Sequence, residues 1–458
     1  MINKKNITKI YYLFLSLHLI LWTTIPSVSN VNLPLDTIEA LAWGSNLDWG
    51  FSKHPPFSAF AVEVFYFIFG SRDWAYYLLS QIFVIISFIY VWKLSLEIFQ
   101  EKIYALVSLL ALESIFYFNY TSPEFNVNVS QLPFWALTVF YFWKSIQSNK
   151  LKYWLLFGIF SALGFLSKYL FIYILFATFL FLLLDLNKNK IFLKNYFLSV
   201  LVSFIIVLPH IIWLFKNNFT TINYGLNRSS LINVELIDYL LNPLTFILKQ
   251  FLILIPFFLL FLILFKKLNF KIDYKNRKTF FLVSICFLPL LLMLATSIIT
   301  GAKIRTMWMT PFYLFFGTLF IQIFKKNIDL KKIRKFYITV IAFFLISPVA
   351  YFTISIYDKT KRTDYPGKEI SRLVQNKWDE NFVNEIKIVV GDEWSAGNLS
   401  YHLNSRPVWI NNLDKEKVTS ITDEQGIIYT GNPKILKKIC PGVFGSIRPV
   451  GYCMIGKR

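Results

Sequence analysis

"LPLDTIEALAWGSNLDWGFSKHPPF", residues 33–57, gathers Asp36, Glu39, Asp48, His54, Pro55 and Pro56 in the first quarter of a chain that is otherwise made there mainly of Phe, Leu and Ile. Such a polar island between apolar runs is a loop, and the surrounding composition says between what. Of 458 residues, 56% are hydrophobic and 19% aromatic. That is more apolar surface than a soluble globule buries, so the surplus faces lipid and the chain is an integral membrane protein. A net charge of +21 would suggest nucleic acid in a soluble chain. Here Lys and Arg stand in short clusters between apolar runs, where they act as topology signals, and no nucleic-acid partner is implied.

A hydrocarbon core of about 30 Å calls for about 20 apolar residues per helix. Runs of that kind recur near 10–28, 74–96, 103–120, 126–145, 153–166, 169–186, 195–215, 244–265, 279–298, 307–324 and 335–356. These make about 11 spans, with a range of 10–13 because the short pair 153–166 and 169–186 also reads as one broken helix. Lys4, Lys5 and Lys9 precede the first run as in a signal peptide, yet Ser27-Val28-Ser29 is a poor cleavage site, so the run reads as a retained anchor. With a cytoplasmic N-terminus, the tail and the loops at 93–102, 144–152, 187–194, 266–278 and 325–335 hold 23 Lys and Arg, against about seven in the opposite loops. That asymmetry is the positive-inside pattern. The reading is a multi-pass protein of the bacterial cytoplasmic (inner) membrane, with the lipid bilayer as its first partner.

An odd number of spans leaves 357–458 outside, in the periplasm, where charge, Gly and Pro return. "EIKIVVGDEW" (385–394) reads as a buried strand entering a polar turn, "SAGNLSYHL" (395–403) as a short helix, and "RPVWI" and "QGIIYT" as further strands. The domain division is therefore 1–356, transmembrane, and 357–458, a small α/β domain. Cys440 and Cys453 lie in the latter and Cys286 in a span; the two outer cysteines pair in an oxidising compartment or stay as two small hydrophobes.

The quoted stretch now has an address, in a long external loop at 29–73. In "LDTIEALAWG" a helix sets Asp36, Glu39 and Trp43 on one face, an acid pair on an amphipathic element lying along the membrane. The two prolines then force an extended turn, and 57–70 reads as a further interfacial helix. Glu63 and Asp73 read as solvated loop charges. Asp48 and Trp49 shape the loop. His54 belongs to no zinc spacing, since the chain has only four histidines and no HxxH or CxxC.

"DTIEALAWGSNLDWGFSKHPPF" resembles the first external loop of the polyprenyl-phosphate-sugar-dependent glycosyltransferases of the protein-mannosyltransferase and aminoarabinose-transferase superfamily, the multi-span C-type glycosyltransferase fold. Members open this loop with Asp-Glu-Ala, followed by Trp-Gly, Asp-Trp-Gly and His-Pro-Pro. Asp36 matches the leading Asp; Thr37 and Ile38 depart from Glu-Ala, and Glu39 supplies the later acid. "TSPEFNVNVSQLPFW" (121–135) resembles the family's Thr-Pro-Asp segment with Glu124 for Asp. "GFLSKYL" (164–170) resembles its Gly-Leu-hydroxyl-Lys segment, and "GAKIRTMWMTPFYL" (301–314) the late loop with basic residues before Trp and Pro. The similarity runs through about 350 residues and stops at the outer domain.

The resemblance implies transfer of a sugar from a polyprenyl-phosphate donor to an acceptor hydroxyl on the extracytoplasmic face. A phosphate leaves without a proton, so one carboxylate to deprotonate the acceptor and a few cations to hold the phosphate suffice, and direct displacement inverts the anomeric centre. Asp36 is the expected base, with Glu39 or Glu124 orienting it or binding acceptor. Lys168, Arg228, Lys303 and Arg305 are the expected phosphate holders. Trp43, Asp48, His54 and Pro55 are expected to shape the loop or touch substrate. No cofactor is required, although a divalent cation on Asp36 and Glu124 is compatible with this chemistry. The acceptor is a glycolipid, a polysaccharide or a protein. The alternative from another class is a multi-span transporter or lipid flippase. Transporters place ionisable groups in mid-membrane on broken helices, whereas here nearly all charges sit at span ends, with Lys249 the main exception.

Overall fold

The computed structural model describes residues 4–185, 190–231, 234–265, 272–411 and 425–458. The membrane part is a bundle of helices: α1 (Lys4–Ser29), α4 (Asp73–Phe99), α5 (Lys102–Leu110), α6 (Val127–Ser148), α7 (Leu151–Ser167), α8 (Ile172–Leu184), α9 (Lys190–Lys216), α11 (Asp238–Leu264), α12 (Arg277–Thr300), α13 (Phe316–Phe324) and α14 (Ile333–Tyr357). Three short helices, α2 (Leu35–Gly44), α3 (Phe57–Phe69) and α10 (Thr220–Arg228), lie in the loops between them. Every apolar run read as a span contains one of these bundle helices, but their lengths differ. Six are long and apolar enough to cross a membrane, and a seventh if the bent segments 306–313 and 316–327 count as one span. Eleven full-length spans are thus not confirmed. The run at 103–120 shows why: α5 has nine residues and gives way to 3₁₀ turns at Ala111–Ser114 and Phe116–Phe118.

Those turns correct a second expectation. Glu113 lies within this broken helix, fully buried, with its carboxylate 2.7 Å from Nδ1 of the equally buried His18 on α1. The sequence reading puts nearly all charges at span ends, with Lys249 the main exception, and the Glu113–His18 pair is a further one. The partner explains how it is tolerated: a buried charge is costly alone and affordable when hydrogen-bonded. Close packing elsewhere depends on small residues, as in other helix bundles in lipid. A Cβ at Gly317 would stand 2.1 Å from the Ser108 carbonyl oxygen, so α13 meets α5 backbone to backbone.

The two sets of loops separate onto opposite ends. At one end Lys144 pairs with Glu97, Lys325 with Glu101 and Arg277 with Asp185, joining loops expected to be cytoplasmic. At the other end α2, α3, α10 and the outer domain gather.

The outer domain carries a five-stranded mixed sheet in the order β2-β1-β3-β5-β4, with β1 (Ile388–Gly391), β2 (Val408–Asn411), β3 (Ile427–Gly431), β4 (Val443–Ile447) and β5 (Val450–Ile455). The first three strands and the helix Ser395–His402 fall where the sequence pattern places them. The last two form an antiparallel hairpin that the pattern misses, because its inward residues Tyr452, Cys453 and Met454 run without alternation. Cys440 and Cys453 are joined as a disulfide, and Cys286 is a buried free thiol.

Candidate active site

The acid pair is set by two helix starts. Pro34, extended, precedes α2 and puts Asp36 in its first turn. Glu124 reaches back from the loop before α6 and accepts the Asp36 backbone N–H at 3.2 Å. A carboxylate there satisfies an open helix donor and meets the positive end of the helix dipole. Asn126 caps α6 through Asn128 and Val129 N–H groups at 2.9 and 3.1 Å, fixing Asn128 beside the pair. The Asp36 carboxylate itself has no hydrogen-bond partner among the described residues.

Asp36 faces a cavity of about 730 Å³ that is also lined by Glu39, Lys53, His54, Lys168, Arg228, Arg305 and Arg362. Lys168 is buried at the end of α7, where the backbone turns extended; its ammonium donates to the Asn128 side-chain oxygen and lies 5.4 Å from the Trp308 ring centre. It points inward and does not snorkel. Arg228 and Lys303 are exposed, Arg305 is half-buried, and Arg305 Nε is a buried donor with no partner. Lys303 does not line this cavity. It opens into a second one, of about 490 Å³, shared with Glu124, Asn128, Lys249 and Arg305. A third, of about 330 Å³, reaches Glu124 from the side of Arg362 and Tyr351. Glu124 therefore stands where two smaller cavities approach the first.

Burial raises the Asp36 pKa, opposed by the nearby charges of Lys53, Lys168, Arg228 and Arg362. Burial also raises that of Glu124, and the Asp36 charge adds to it. Glu39 is pushed up to about 7 by burial despite its 2.7 Å contact with Lys53. His54 is driven down to about 3 by burial and by the cations around it, so its imidazole is neutral. Trp43 stacks on Phe51 and meets His54 edge-on, sealing the face that Asp36 and Glu39 share. Asp48 accepts the Trp49 N–H at 2.7 Å and shapes the loop locally. Among the described residues no group of three or more His, Cys, Asp or Glu gathers as for a metal. Asp36 and Glu124 stand side by side with Glu39 near both, and the charges of Lys53, Lys168, Arg228 and Arg362 act on Asp36.

Several contributors escaped the sequence pattern. Lys53 bridges Glu39 at 2.7 Å and Glu393 of the outer domain at 3.3 Å. Its only signal was adjacency to His54. Arg362 enters from beyond the last span, invisible to any motif. Glu63 and Asp73 are not solvated: Glu63 takes Arg406 at 2.7 Å and Asp73 takes the Tyr401 hydroxyl at 2.7 Å. Arg406 also donates to the Leu41 carbonyl oxygen at 2.7 Å, and Trp409 N–H to Ser45 at 2.8 Å. The outer domain thus grips the helix that carries Asp36.

Residues 53–213 match the family described as dolichyl-phosphate-mannose-protein mannosyltransferase. That segment holds His54, Glu124 and Lys168 and begins after Asp36. ArnT from Cupriavidus metallidurans bound to undecaprenyl phosphate has a similar fold, with a TM-score of 0.65 and 11% identity over 97% of this chain and 98% of that one. The same protein in the apo state gives 0.62 and 10% over the same shares. No curated protein matches the chain. The match over residues 53–213 supports the resemblance to the protein-mannosyltransferase family read from the first loop, and the solved structures share the fold over nearly the whole chain.

Proposed function

We propose that this protein transfers a sugar from a polyprenyl-phosphate donor to an acceptor hydroxyl, with Asp36 as general base and inversion at the anomeric carbon. The observation that carries this is the unengaged Asp36 carboxylate beside Glu124, facing a cavity that also holds Lys168, Arg228 and Arg305. The solved relative bound to undecaprenyl phosphate supports the choice of lipid. In this reading the three cations hold the departing phosphate and replace its water shell with fixed charge. Asp36 takes the acceptor proton as the oxygen attacks. Glu124 holds the first turn of α2, and hence Asp36, in place. Glu39, tied to Lys53, orients the loop. The reaction faces the periplasm, where the loop and the outer domain lie if the N-terminus is cytoplasmic. The chemistry needs no resident metal, since Lys168, Arg228 and Arg305 on the cavity wall can meet the phosphate charge. The direct test is transfer of label from radioactive polyprenyl-phosphate sugars to a membrane extract by the purified protein in proteoliposomes. Label retained wholly on the donor, for every sugar offered, would reject the proposal.

The raised Asp36 pKa gives a pH signature. The base must be ionised, so kcat/KM falls as pH drops through the Asp36 pKa, and this acid limb lies above the ordinary Asp value of about 3.9. Burial and then the Asp36 charge push Glu124 up to about 8, whereas the charges acting on Asp36 are those of cations. Glu124→Gln should therefore leave this limb in place and lower the maximal rate through the position of α2. A limb that moves to lower pH in this variant would show that Glu124 is charged where Asp36 titrates.

A further inference from the structure

One stretch of the main cavity wall differs in chemistry from the cations beside it. Tyr169 and Thr221 both line this cavity, and the hydrogen of each hydroxyl is already committed elsewhere. For Tyr169 the cause is His210, fully buried on α9. Its Nδ1 stands 2.6 Å from the Trp49 carbonyl oxygen, which can only accept, so Nδ1 carries the hydrogen. A buried imidazole whose polar partners are a carbonyl and a hydroxyl is neutral. Its Nε2 is therefore an acceptor, and the Tyr169 hydroxyl donates to it at 2.7 Å. Packing holds the ring in this orientation: it stacks on Trp213, and the Trp213 ring fills the place of a side chain at Gly50, seating the first external loop on the same support. Thr221, buried near the start of α10 and beside Tyr169, gives its own proton to the Phe51 carbonyl oxygen at 2.5 Å. Two neighbouring hydroxyl oxygens thus keep lone pairs and have no hydrogen left to donate.

We propose that Tyr169 and Thr221 are specificity residues that read the transferred sugar, accepting a hydrogen bond from one of its ring hydroxyls and rejecting a group there that cannot donate. Naming the sugar as the ligand rests on the reading of this cavity as a polyprenyl-phosphate site; the polarity of the pair rests on His210 and the two loop carbonyls. Phosphate ester oxygens are themselves acceptors, so the phosphate is turned away from the pair and towards Lys168, Arg228 and Arg305. Arg228 lies at the far end of α10 from Thr221, about 10 Å away at 1.5 Å per residue. One short helix thereby offers a charge to the phosphate and an acceptor to the sugar. A site built to bond a hydroxyl discriminates well, because an analogue without it leaves polar atoms of the site unpaired.

The full-length protein in detergent is titrated with undecaprenyl phosphate bearing mannose, glucose, galactose or xylose, with the monodeoxy and monodeoxyfluoro analogues of each, and with undecaprenyl phosphate alone. The wild type should bind at least one sugar-bearing lipid about tenfold tighter than the bare lipid, the scale of one hydrogen bond, and should lose that gain when one particular hydroxyl is replaced by hydrogen or fluorine. Tyr169→Phe keeps the ring and should abolish the gain while leaving the affinity for bare undecaprenyl phosphate unchanged. His210→Asn places an amide N–H about where Nδ1–H stands and removes the acceptor at Nε2, which frees the Tyr169 proton. That variant should therefore bind the fluorine analogue that the wild type rejects, a change that a tyrosine merely packing the wall would not produce. A wild type that binds no sugar-bearing lipid tighter than the bare one would overturn the proposal, as would a gain that survives Tyr169→Phe or continued rejection of fluorine by His210→Asn. Equal loss of bare undecaprenyl phosphate in Tyr169→Phe would give the hydroxyl to the phosphate and end its role in reading the sugar. A sugar preference that depends on Tyr169, in a protein that never transfers label, would remove the transferase reading alone and leave the sugar subsite standing.

Discussion

Asp36→Asn should lower the rate of sugar transfer by about 10²–10⁴-fold, the usual worth of general base catalysis, while leaving expression and membrane insertion unchanged. The substitution is nearly isosteric. Glu124 holds the Asp36 backbone N–H and not the side chain, so the first turn of α2 keeps its cap. The grip of the outer domain on α2 passes through Leu41 and Ser45 and is equally untouched. No neighbour is placed to replace the lost base: Glu39 is committed to Lys53 at 2.7 Å, and Glu124 is committed to the helix end. Donor affinity should change little, because the phosphate is held by cations. A variant that turns over within about tenfold of wild type would remove Asp36 from the base role. A variant that loses donor binding and turnover together would make it a structural residue.

How much of this was legible without coordinates depends on the range of the signal. The acid face of α2 was legible because Asp36, Glu39 and Trp43 repeat at helical spacing, and period is a local property. The membrane class and the gathering of alternate loops at one end were legible because apolar length and basic clusters are sums over many residues. The break after α5 was not. Its residues, Ala-Leu-Glu-Ser-Ile, carry neither Pro nor Gly, and besides the local bond from Asn119 to the Glu113 carbonyl oxygen the turn's acid meets His18, 95 positions away. The same applies to Lys53 and Glu393, to Arg362 and to the Glu63–Arg406 pair: each ion pair or cavity wall joins segments whose separation in the chain no motif encodes. The outer domain's last hairpin escaped for another reason. Strands buried on both faces lose the alternation that reveals half-buried ones, and residues 452–454 are buried in succession.

Lys168→Met should weaken binding of undecaprenyl phosphate by roughly ten- to a hundredfold, the cost of one charge-assisted hydrogen bond at about 1.5–3 kcal/mol. Methionine keeps most of the volume of the side chain against Asn128 and Trp308 and removes only the charge. The effect should exceed that of Arg228→Ala, because Arg228 is exposed on α10, where solvent and salt screen its field, whereas Lys168 is buried. Arg305 should fall between them, and Lys should replace it poorly if its guanidinium grips two phosphate oxygens at once. Lys168→Met carries a second, independent signature. The Lys168 charge is one of those that hold the Asp36 pKa down against burial. Without it that pKa rises further, so the acid limb of kcat/KM moves to higher pH, whereas Glu124→Gln should leave it in place. A side chain that only packed the end of α7 would do neither. Unchanged donor affinity together with an unmoved limb would reduce Lys168 to that role and return the cavity to the transporter reading, for which a buried lysine at the break between two helices is equally at home.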